Sequence, residues 1–471
     1  MGQPRQTISP TDRGRIAASF RDPSGFVYER DGRLLRQVNQ SFAEEWDAFQ
    51  QSPLRRELVQ QGLLIDYQEA PPELGWNELA AAVIEPERVE PVTYPWEWSF
   101  SQLRDAALLT LDAQDRAAAA GFTLRDASAY NVQFVRGGPI LIDTLSFEPA
   151  TPDEPWLPYR QFCEQFLAPL ALMAYRDVRM SLLMRPFPGG IPLDLASSLL
   201  PVRTRISAGL TTHIHLHARA QQRSISHKTG SRERPPRVSN LGRRALIDHL
   251  RRTIEHLRHP PITSHWSDYE TTSSYSAAGA EAKLRIVGEL LQQVPGRWVW
   301  DVGANRGWYS LAAADAGRQV VALDADAGSV DALYRRLRSS GDERILPLVL
   351  DIANPSPGVG WGLEDHRSLF DRCNADVVLA LALIHHLAIA RNVPLDRISS
   401  LFARLSEWLI IEWVPKSDPM VVHMLAHRED IFGEYEEGAF RSAFEADFEF
   451  VRSEPIPDSA RLLHLLRKKG R

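Results

Sequence analysis

The sequence predicts an α/β protein: a mostly parallel, helix-flanked sheet with an antiparallel last strand in the C-terminal part, preceded by an α+β region. Three observations predict the sheet. The stretch Trp298 to Leu311, WVWDVGANRGWYSL, reads as a buried strand, a glycine-bearing turn and a helix start. The runs Gln319–Leu323, Ile345–Leu350, Ala375–Leu383 and Leu409–Ile411 are nearly continuous apolar segments, as expected of strands covered on both faces. They are followed by Asp324, Asp351, His385 with His386, and Glu412. Last, Phe440–Phe444 reads as a helix, and Phe448–Val451 and Arg461–Leu466 read as an antiparallel pair that closes the sheet.

The 471 residues are long enough for two or three domains with sizeable cores. A net charge of -6 gives no overall attraction to nucleic acid. The two cysteines, Cys163 and Cys373, exclude a disulfide framework or a cysteine zinc site and suit a reducing cytoplasm, the expected location. The polar start MGQPRQTISPTDRGR contains no apolar signal region. The apolar stretch Phe166–Tyr175 is too short to span a bilayer and carries Pro169.

Residues 1–20 read as a flexible tail. Gly25–Val38 reads as a β-hairpin turned by Asp31-Gly32. Ser41-x-x-Glu44 has the form of a capping box, opening a helix with Phe42, Trp46, Phe49 and Leu54 that ends near Gly62. Ala82–Ile84 and Val89–Val92 read as strand pieces, Tyr94-Pro95-Trp96-Glu97-Trp98 as a connector, and Ser101–Ala120 as a helix stopped by Gly121. Then come LRDASAYN, Val132–Val135, a Gly137-Gly138 turn and ILID. Trp156–Leu183 reads as helices, and Arg185–Pro192 as a turn.

The segment Leu124–Asp143 is similar to the catalytic segment of protein kinases and aminoglycoside phosphotransferases. Asp126 stands where that family has its catalytic Asp, five residues before the metal-binding position of Asn131, and Asp143 matches the second metal-binding Asp beyond the hairpin. The resemblance implies a two-lobed α+β region over residues 21–222, with lobes at about 21–95 and 96–222. Three departures stand against it. Leu124 replaces the family's His, no G-x-G-x-x-G precedes the first hairpin, and the first lysine is Lys228, far beyond the point where a phosphate-holding lysine belongs. Arg33 or Arg36 would have to stand in, with a different shape and anchoring geometry. A degenerate module that binds without phosphorylating, an active phosphotransferase and a chance match all remain open. Asp126 and Asn131 also suit plain loop-holding bonds.

From Arg203 to His259 the chain turns basic, with thirteen Lys or Arg against three acids. Residues 223–260 read as a basic linker. His213, His215 and His217 would share one face of a strand, but no carboxylate or cysteine stands near and no metal site is expected. Residues 261–471 form the last unit. In it Trp266, Tyr269 and Tyr275 precede a helix, Ala277–Gln292, with Lys283 read as a surface residue.

The turn after Trp298 carries its own chemistry. Its pattern is Asp301-x-Gly303-x-Asn305-x-Gly307, with an acid where a dinucleotide fingerprint has its first glycine. A carboxylate there repels a pyrophosphate and suits a cationic amino-acid group. Asp324 then falls at the interval, about 20 residues on, of a ribose-binding acid. This constellation resembles motif I and the following strands of class I S-adenosylmethionine-dependent methyltransferases. LPLVLDIANPSP, ADVVLALALIHHL and LIIEWVPK further resemble a bacterial group that includes nodulation-associated methyltransferase-like proteins, over roughly residues 260–471.

The resemblance implies S-adenosyl-L-methionine as cofactor and a Rossmann-like sheet. It implies cofactor contacts at Asp301, Gly303, Asn305 and Gly307, at Asp324 (with Asp326 as runner-up), and at Asp351, Ile352 and Ala380. His386, His385 and Glu412 would then sit beside the reacting methyl, an imidazole being suited to take a proton near neutral pH. The N/D-P-P-Y/F turn of base-amine methylases is missing, so nucleic acid is disfavoured as acceptor. A small-molecule or glycan- or lipid-linked hydroxyl is expected instead. A catalytically silent cofactor sensor with a partner-binding kinase-like module is the rival expectation, and an active phosphotransferase fused to a methyltransferase the second.

Overall fold

The computed structural model describes residues 14–220, 237–259, 276–426 and 429–470. Trp266, Tyr269, Tyr275, residues 223–236 and 260 of the segment read as a basic linker and residues 1–13 of the tail lie outside the described residues.

The C-terminal sheet is built from β9 (Trp298–Val302), β10 (Gln319–Asp324), β11 (Ile345–Val349), β12 (Val377–Ala380), β13 (Trp408–Trp413), β14 (Phe448–Pro455) and β15 (Leu462–Lys468). Their order is β11-β10-β9-β12-β13-β15-β14. The first five are mutually parallel, and β15 runs antiparallel between β13 and β14. The five parallel strands are almost wholly buried because helices cover both faces, which is why their sequences are continuously apolar. Chain order reverses between β9 and β12. In an open parallel sheet such a switch point leaves a crevice at the carboxyl ends of the strands. This is a Rossmann-like, class I methyltransferase sheet.

The N-terminal part is α+β. Strands β1 (Gly25–Arg30), β2 (Arg33–Asn39), β3 (Tyr67–Ala70) and β4 (Ala80–Pro86) form an antiparallel sheet in the order β1-β2-β4-β3. Two short antiparallel pairs follow: the hairpin β6 (Val132–Val135) with β7 (Gly138–Leu141), and, flanking it in sequence, β5 (Phe122–Leu124) with β8 (Phe147–Pro149). The helix Phe100–Ala119 is the longest element of this part. Ser99 caps it by accepting from the Gln102 amide.

Several local expectations are corrected. The single helix expected from Phe42 to Gly62 is two, Ala43–Gln51 and Pro53–Gln60, because Ser52 is extended and Pro53 can only start a new helix. The Ser41 capping box does not form. Its hydroxyl donates instead to the Pro23 carbonyl, 3.2 Å away. Val89–Val92 is loop rather than strand. His213 and His215 lie on a π-helical stretch, Thr211–Leu216, not on a strand. The segment read as linker contains the helix Asn240–His256, whose face of Ile247, Leu250 and Ile254 is buried.

Tyr94–Trp98 is no connector. Trp96, Glu97 and Trp98 have no exposed surface, and Pro95–Glu97 forms a 3-10 turn pressed against the C-terminal sheet. One hydrophobic core runs through both parts, holding Trp96, Trp98 and Leu103 together with Trp300, Val321, Leu348 and Ile384. Polar links cross the same seam. The Asp331 carboxylate accepts from the Ser101 amide at 2.8 Å in the first turn of Phe100–Ala119, where a negative charge is favoured. Gln102 donates to the Pro347 carbonyl within β11 at 3.0 Å, and the Tyr334 hydroxyl donates to Asp105 at 2.8 Å. A shared core does not come apart in halves. Scanning calorimetry is expected to give one unfolding transition for the whole chain; two well-separated transitions would contradict a common core.

Candidate functional site

The crevice at the switch point is built from strand ends and the turns that leave them. Gly303 (φ +81) and Gly307 (φ +76) are left-handed, as is Asn305 (φ +49). A side chain at Gly307 would strike Leu333 at 2.7 Å, so only glycine lets the turn close onto the neighbouring helix. Gly303 is exposed, and a side chain there would meet Leu383 at 3.5 Å, an ordinary contact. The Gly303 and Ala304 amides donate to the Leu323 carbonyl, which ties the turn to β10. Asp324 is locked beside it: its carboxylate accepts from the Asn305 and Asp326 amides, each at 2.7 Å. Asp326 caps the helix Ala327–Ser340 by accepting from the Ser329 amide at 2.7 Å.

Asp301 is buried at the end of β9 and accepts from the Ser310 hydroxyl at 2.6 Å. Burial pushes its carboxyl up to about 6 against the pull of that bond, and the Asp324 charge adds to the rise. Asp324 is also pushed up to about 6 by burial, against its two backbone donors. Asp351, past the end of β11, accepts from the Ala353 amide at 2.9 Å and pairs with Arg391 at 2.7 Å. Ile352 and Ala380 are buried beside this edge. The acids at the three strand ends, the glycine turn and Ala380 are thus brought to one edge of the sheet.

Past β12 stand His385 and His386, with ring centroids 4.0 Å apart. His385 is 1% exposed, and its Nδ1 has no hydrogen-bond partner among the described residues. Burial, then the charges of His386, Arg461 and Lys283, hold it well below the ordinary imidazole value. Burial and Arg461 bring His386 down to about 4.

Glu412, at the end of β13, has no exposure. It pairs with Lys283 at 2.7 Å and Arg461 at 3.1 Å, and accepts from the Ala382 amide at 2.8 Å. Arg461 reaches on to Asp418 at 2.7 and 2.9 Å. Lys283 is therefore not a surface residue: it is 2% exposed and lies 4.6 Å from the Tyr309 ring centre. Its position carried the signal, because Ile286, Val287 and Leu290 recur from it at helical spacing on the buried face. Arg461, Asp418, Ser310 and Arg391 were also missed. Nothing in their local sequence marks them.

The kinase-like residues also come together, but not in an open arrangement. Asp143 pairs with Arg36 on β2 at 2.6 Å and accepts from the Ser146 hydroxyl at 2.5 Å. Burial would raise its carboxyl, but Arg36 and Ser146 outweigh it and the net shift is downward. Arg36 is buried and also approaches Asp22, which pairs with Arg125 at 2.9 Å. Asp126 accepts from Gln161 at 2.6 Å and from the Ser128 amide at 2.9 Å; burial and then the Asp143 charge raise its carboxyl. Asn131 lies 3.5 Å from the Ser146 hydroxyl. An arginine thus stands against the carboxylate that the resemblance assigns to a metal. Tyr130, between Asp126 and Asn131, packs on His366 of the C-terminal part with centroids 4.3 Å apart.

No protein-family model matches the chain. Over 463 residues it is 37% identical to the nodulation protein NoeA of Rhizobium meliloti (strain 1021), covering 97% of this chain and 96% of NoeA. Among solved structures, the bifunctional kinase-methyltransferase WbdD aligns over 44% of this chain and 43% of its own, at 15% identity and a TM-score of 0.30. The N-methyltransferase NodS of Bradyrhizobium japonicum WM9 aligns over 41% of this chain and 99% of its own, at 11% identity and a TM-score of 0.32. The chain spans less than half of WbdD's length.

Asp301 gives a pH test with a definite sign. Its folded value of about 6 lies above its ordinary value of 3.8, so the folded state binds the extra proton between them. Stability is therefore lost as pH rises through that window, and the cost is complete above about 6. Asp301→Asn, which still accepts from Ser310, is expected to melt higher than the wild type at pH 8, with a clearly smaller gain at pH 5. An equal gain at both pH values would contradict the burial of an ionised carboxyl.

Proposed function

Because this chain belongs to the family of the nodulation protein NoeA, we propose from its crevice that it is an S-adenosylmethionine-dependent methyltransferase acting on a hydroxyl of a small-molecule or carbohydrate- or lipid-linked acceptor. The observation that carries the reading is the edge where Asp301, Asp324 and Asp351 end three adjacent parallel strands around a glycine turn. The residues fit the group. Gly303 is exposed, and Asp324 is held by two backbone amides in one orientation. The carboxylates at this edge suit a ligand that carries positive charge and hydrogen-bond donors.

When bound, the sulfonium supplies an electrophilic methyl. The protein's part is to orient the two reactants and exclude water. Asp301 would face the amino-acid end, the Asp324 carboxylate would accept from the ribose hydroxyls, and Asp351 with Ile352 would form the adenine side, with Ala380 lining the same edge. His385 and His386 are neutral throughout the physiological range, since burial holds both below it. A neutral imidazole nitrogen accepts a hydrogen bond from an acceptor hydroxyl, steers its oxygen lone pair toward the methyl and would take up the hydroxyl proton as the oxygen is methylated. The unpartnered Nδ1 of His385 supports that use. Glu412 acts through its network, fixing Lys283 and Arg461 beside the histidines rather than moving a proton itself.

Phosphoryl transfer is not part of this reading, because Asp143 is committed to Arg36 where that chemistry needs a metal ligand. The test is transfer of label. Cell extract incubated with methyl-labelled cofactor and the wild-type protein should gain a labelled product that mass spectrometry detects, and Asp324→Ala should lower its yield at least about tenfold, the scale of one lost charged hydrogen bond. In parallel, γ-labelled ATP should yield no transferred phosphate. If the cofactor binds but no acceptor pool is labelled, the catalytic claim falls and a silent sensor takes its place.

A further inference from the structure

The loop from Asp351 to Arg372 joins β11 to β12 and forms the far wall of the crevice. It contains a 3-10 turn at Trp361–Leu363, a two-way backbone bridge between Val359 and His366 and a short helix at Leu369–Arg372, and is otherwise irregular. Besides the pair of the exposed Arg21 with Asp365 at 2.8 Å, the N-terminal part holds it through Ser356, Arg367 and Arg372. Ser356 donates to the Glu97 carboxylate at 2.5 Å and accepts from the Trp96 indole at 3.1 Å. The Arg367 amide donates to the Tyr94 hydroxyl at 2.7 Å. Arg372 pairs with Glu97, donates to the Val92 carbonyl at 2.7 Å and stands over the Tyr94 ring.

Ser356, Glu97, Trp96, Tyr94 and Arg372 are all buried. Glu97 keeps its second oxygen for the Tyr94 amide at 3.0 Å, so the carboxylate is fully used. Charged hydrogen bonds away from water are strong and directional, and losing one partner leaves the other uncompensated. The loop's first residues are Asp351 and Ile352. Ser356 lies one short turn further on, with the Asn354 amide donating back to the Asp351 carbonyl at 2.9 Å. A rigid anchor at Ser356 therefore fixes how the Asp351 carboxylate is presented.

We propose that Glu97, Arg372 and Ser356 are positioning residues for the adenine side of the cofactor crevice, so that the N-terminal part sets purine recognition in the C-terminal part without touching the cofactor. This rests on the methyl-transfer reading above. It explains why a kinase-like region with an arginine against its metal-ligand carboxylate is packed so closely on this sheet: its retained work is to hold that loop.

The test uses the intact chain and two ligands that differ only at the purine, S-adenosylhomocysteine and its deaminated form S-inosylhomocysteine, in which a carbonyl replaces the amino group. The wild type should bind the adenine form more tightly, because Asp351 accepts from an amino group and repels a carbonyl. Calorimetry on Ser356→Ala, which leaves the Glu97–Arg372 pair in place, should show that preference reduced by roughly tenfold, the scale of a misplaced charged hydrogen bond. Glu97→Gln should reduce it at least as far. A merely structural loss weakens both ligands alike and leaves their ratio unchanged; a ratio unchanged in both variants, with each folded by circular dichroism, would overturn the proposal. A wild type that binds neither ligand would instead overturn the methyl-transfer reading on which it stands.

Discussion

Two carboxylates with no exposed surface hold this molecule in register. Glu412 collects Lys283 from the helix before β9, Arg461 from the turn before β15 and the Ala382 amide from the turn after β12. Glu97 collects Arg372, Ser356 and the Tyr94 amide. A buried charge is costly unless every lone pair is engaged, so each carboxylate tolerates essentially one arrangement of the segments around it. Glu412 thereby fixes the carboxyl edge of the sheet, where the crevice opens. Glu97 fixes the seam between the two parts. The rest of the fold supplies apolar burial around these points.

The crevice follows from that rigidity. Asp301 and Asp324 are kept short of comfortable ionisation by burial, and both sit where a positively charged ligand would favour their charged forms. The histidines are treated in the opposite way: the neighbouring cations and burial keep them uncharged. Acids at the strand ends of β9 and β10 and neutral imidazoles past β12 divide the edge into a face suited to a cation and a face suited to a neutral hydroxyl. The kinase-like cluster has a different economy. Its acids are already answered from within, Asp143 by Arg36 and Asp126 by Gln161.

Much of this was legible in the sequence, for a definite reason. A strand covered on both faces has to be apolar along its whole length, so each parallel strand showed as an apolar run, although only β10 ends at its acid while β9 and β13 run on past Asp301 and Glu412 and β12 stops at Ala380, short of His385. The kinase-like spacing of Asp126, Asn131 and Asp143 was likewise visible, and the missing lysine left Arg33 or Arg36 as stand-ins, of which Arg36 pairs with Asp143 and Arg33 with Glu85. What stayed hidden was held by partners distant in sequence. Lys283 lies on the buried face that Ile286, Val287 and Leu290 mark, but only Glu412 opposite it explains how a charge is held there. Tyr94–Trp98 has no periodicity, and only the meeting of Glu97 with Arg372 explains two tryptophans and an acid with no exposure. The break at Ser52 was readable from Pro53, but the apolar period across it suggested one helix.

The central claim is that the carboxyl edge of the C-terminal sheet, and not the kinase-like cluster, receives an adenosyl ligand. Backbone hydrogen exchange with and without S-adenosylhomocysteine tests it most directly. Slower exchange is predicted at Gly303–Gly307, Asp324–Asp326 and Asp351–Ala353, with no change from Asp126 to Asp143. Protection at the Asp126–Asp143 segment instead, or none anywhere at saturating ligand, would contradict it.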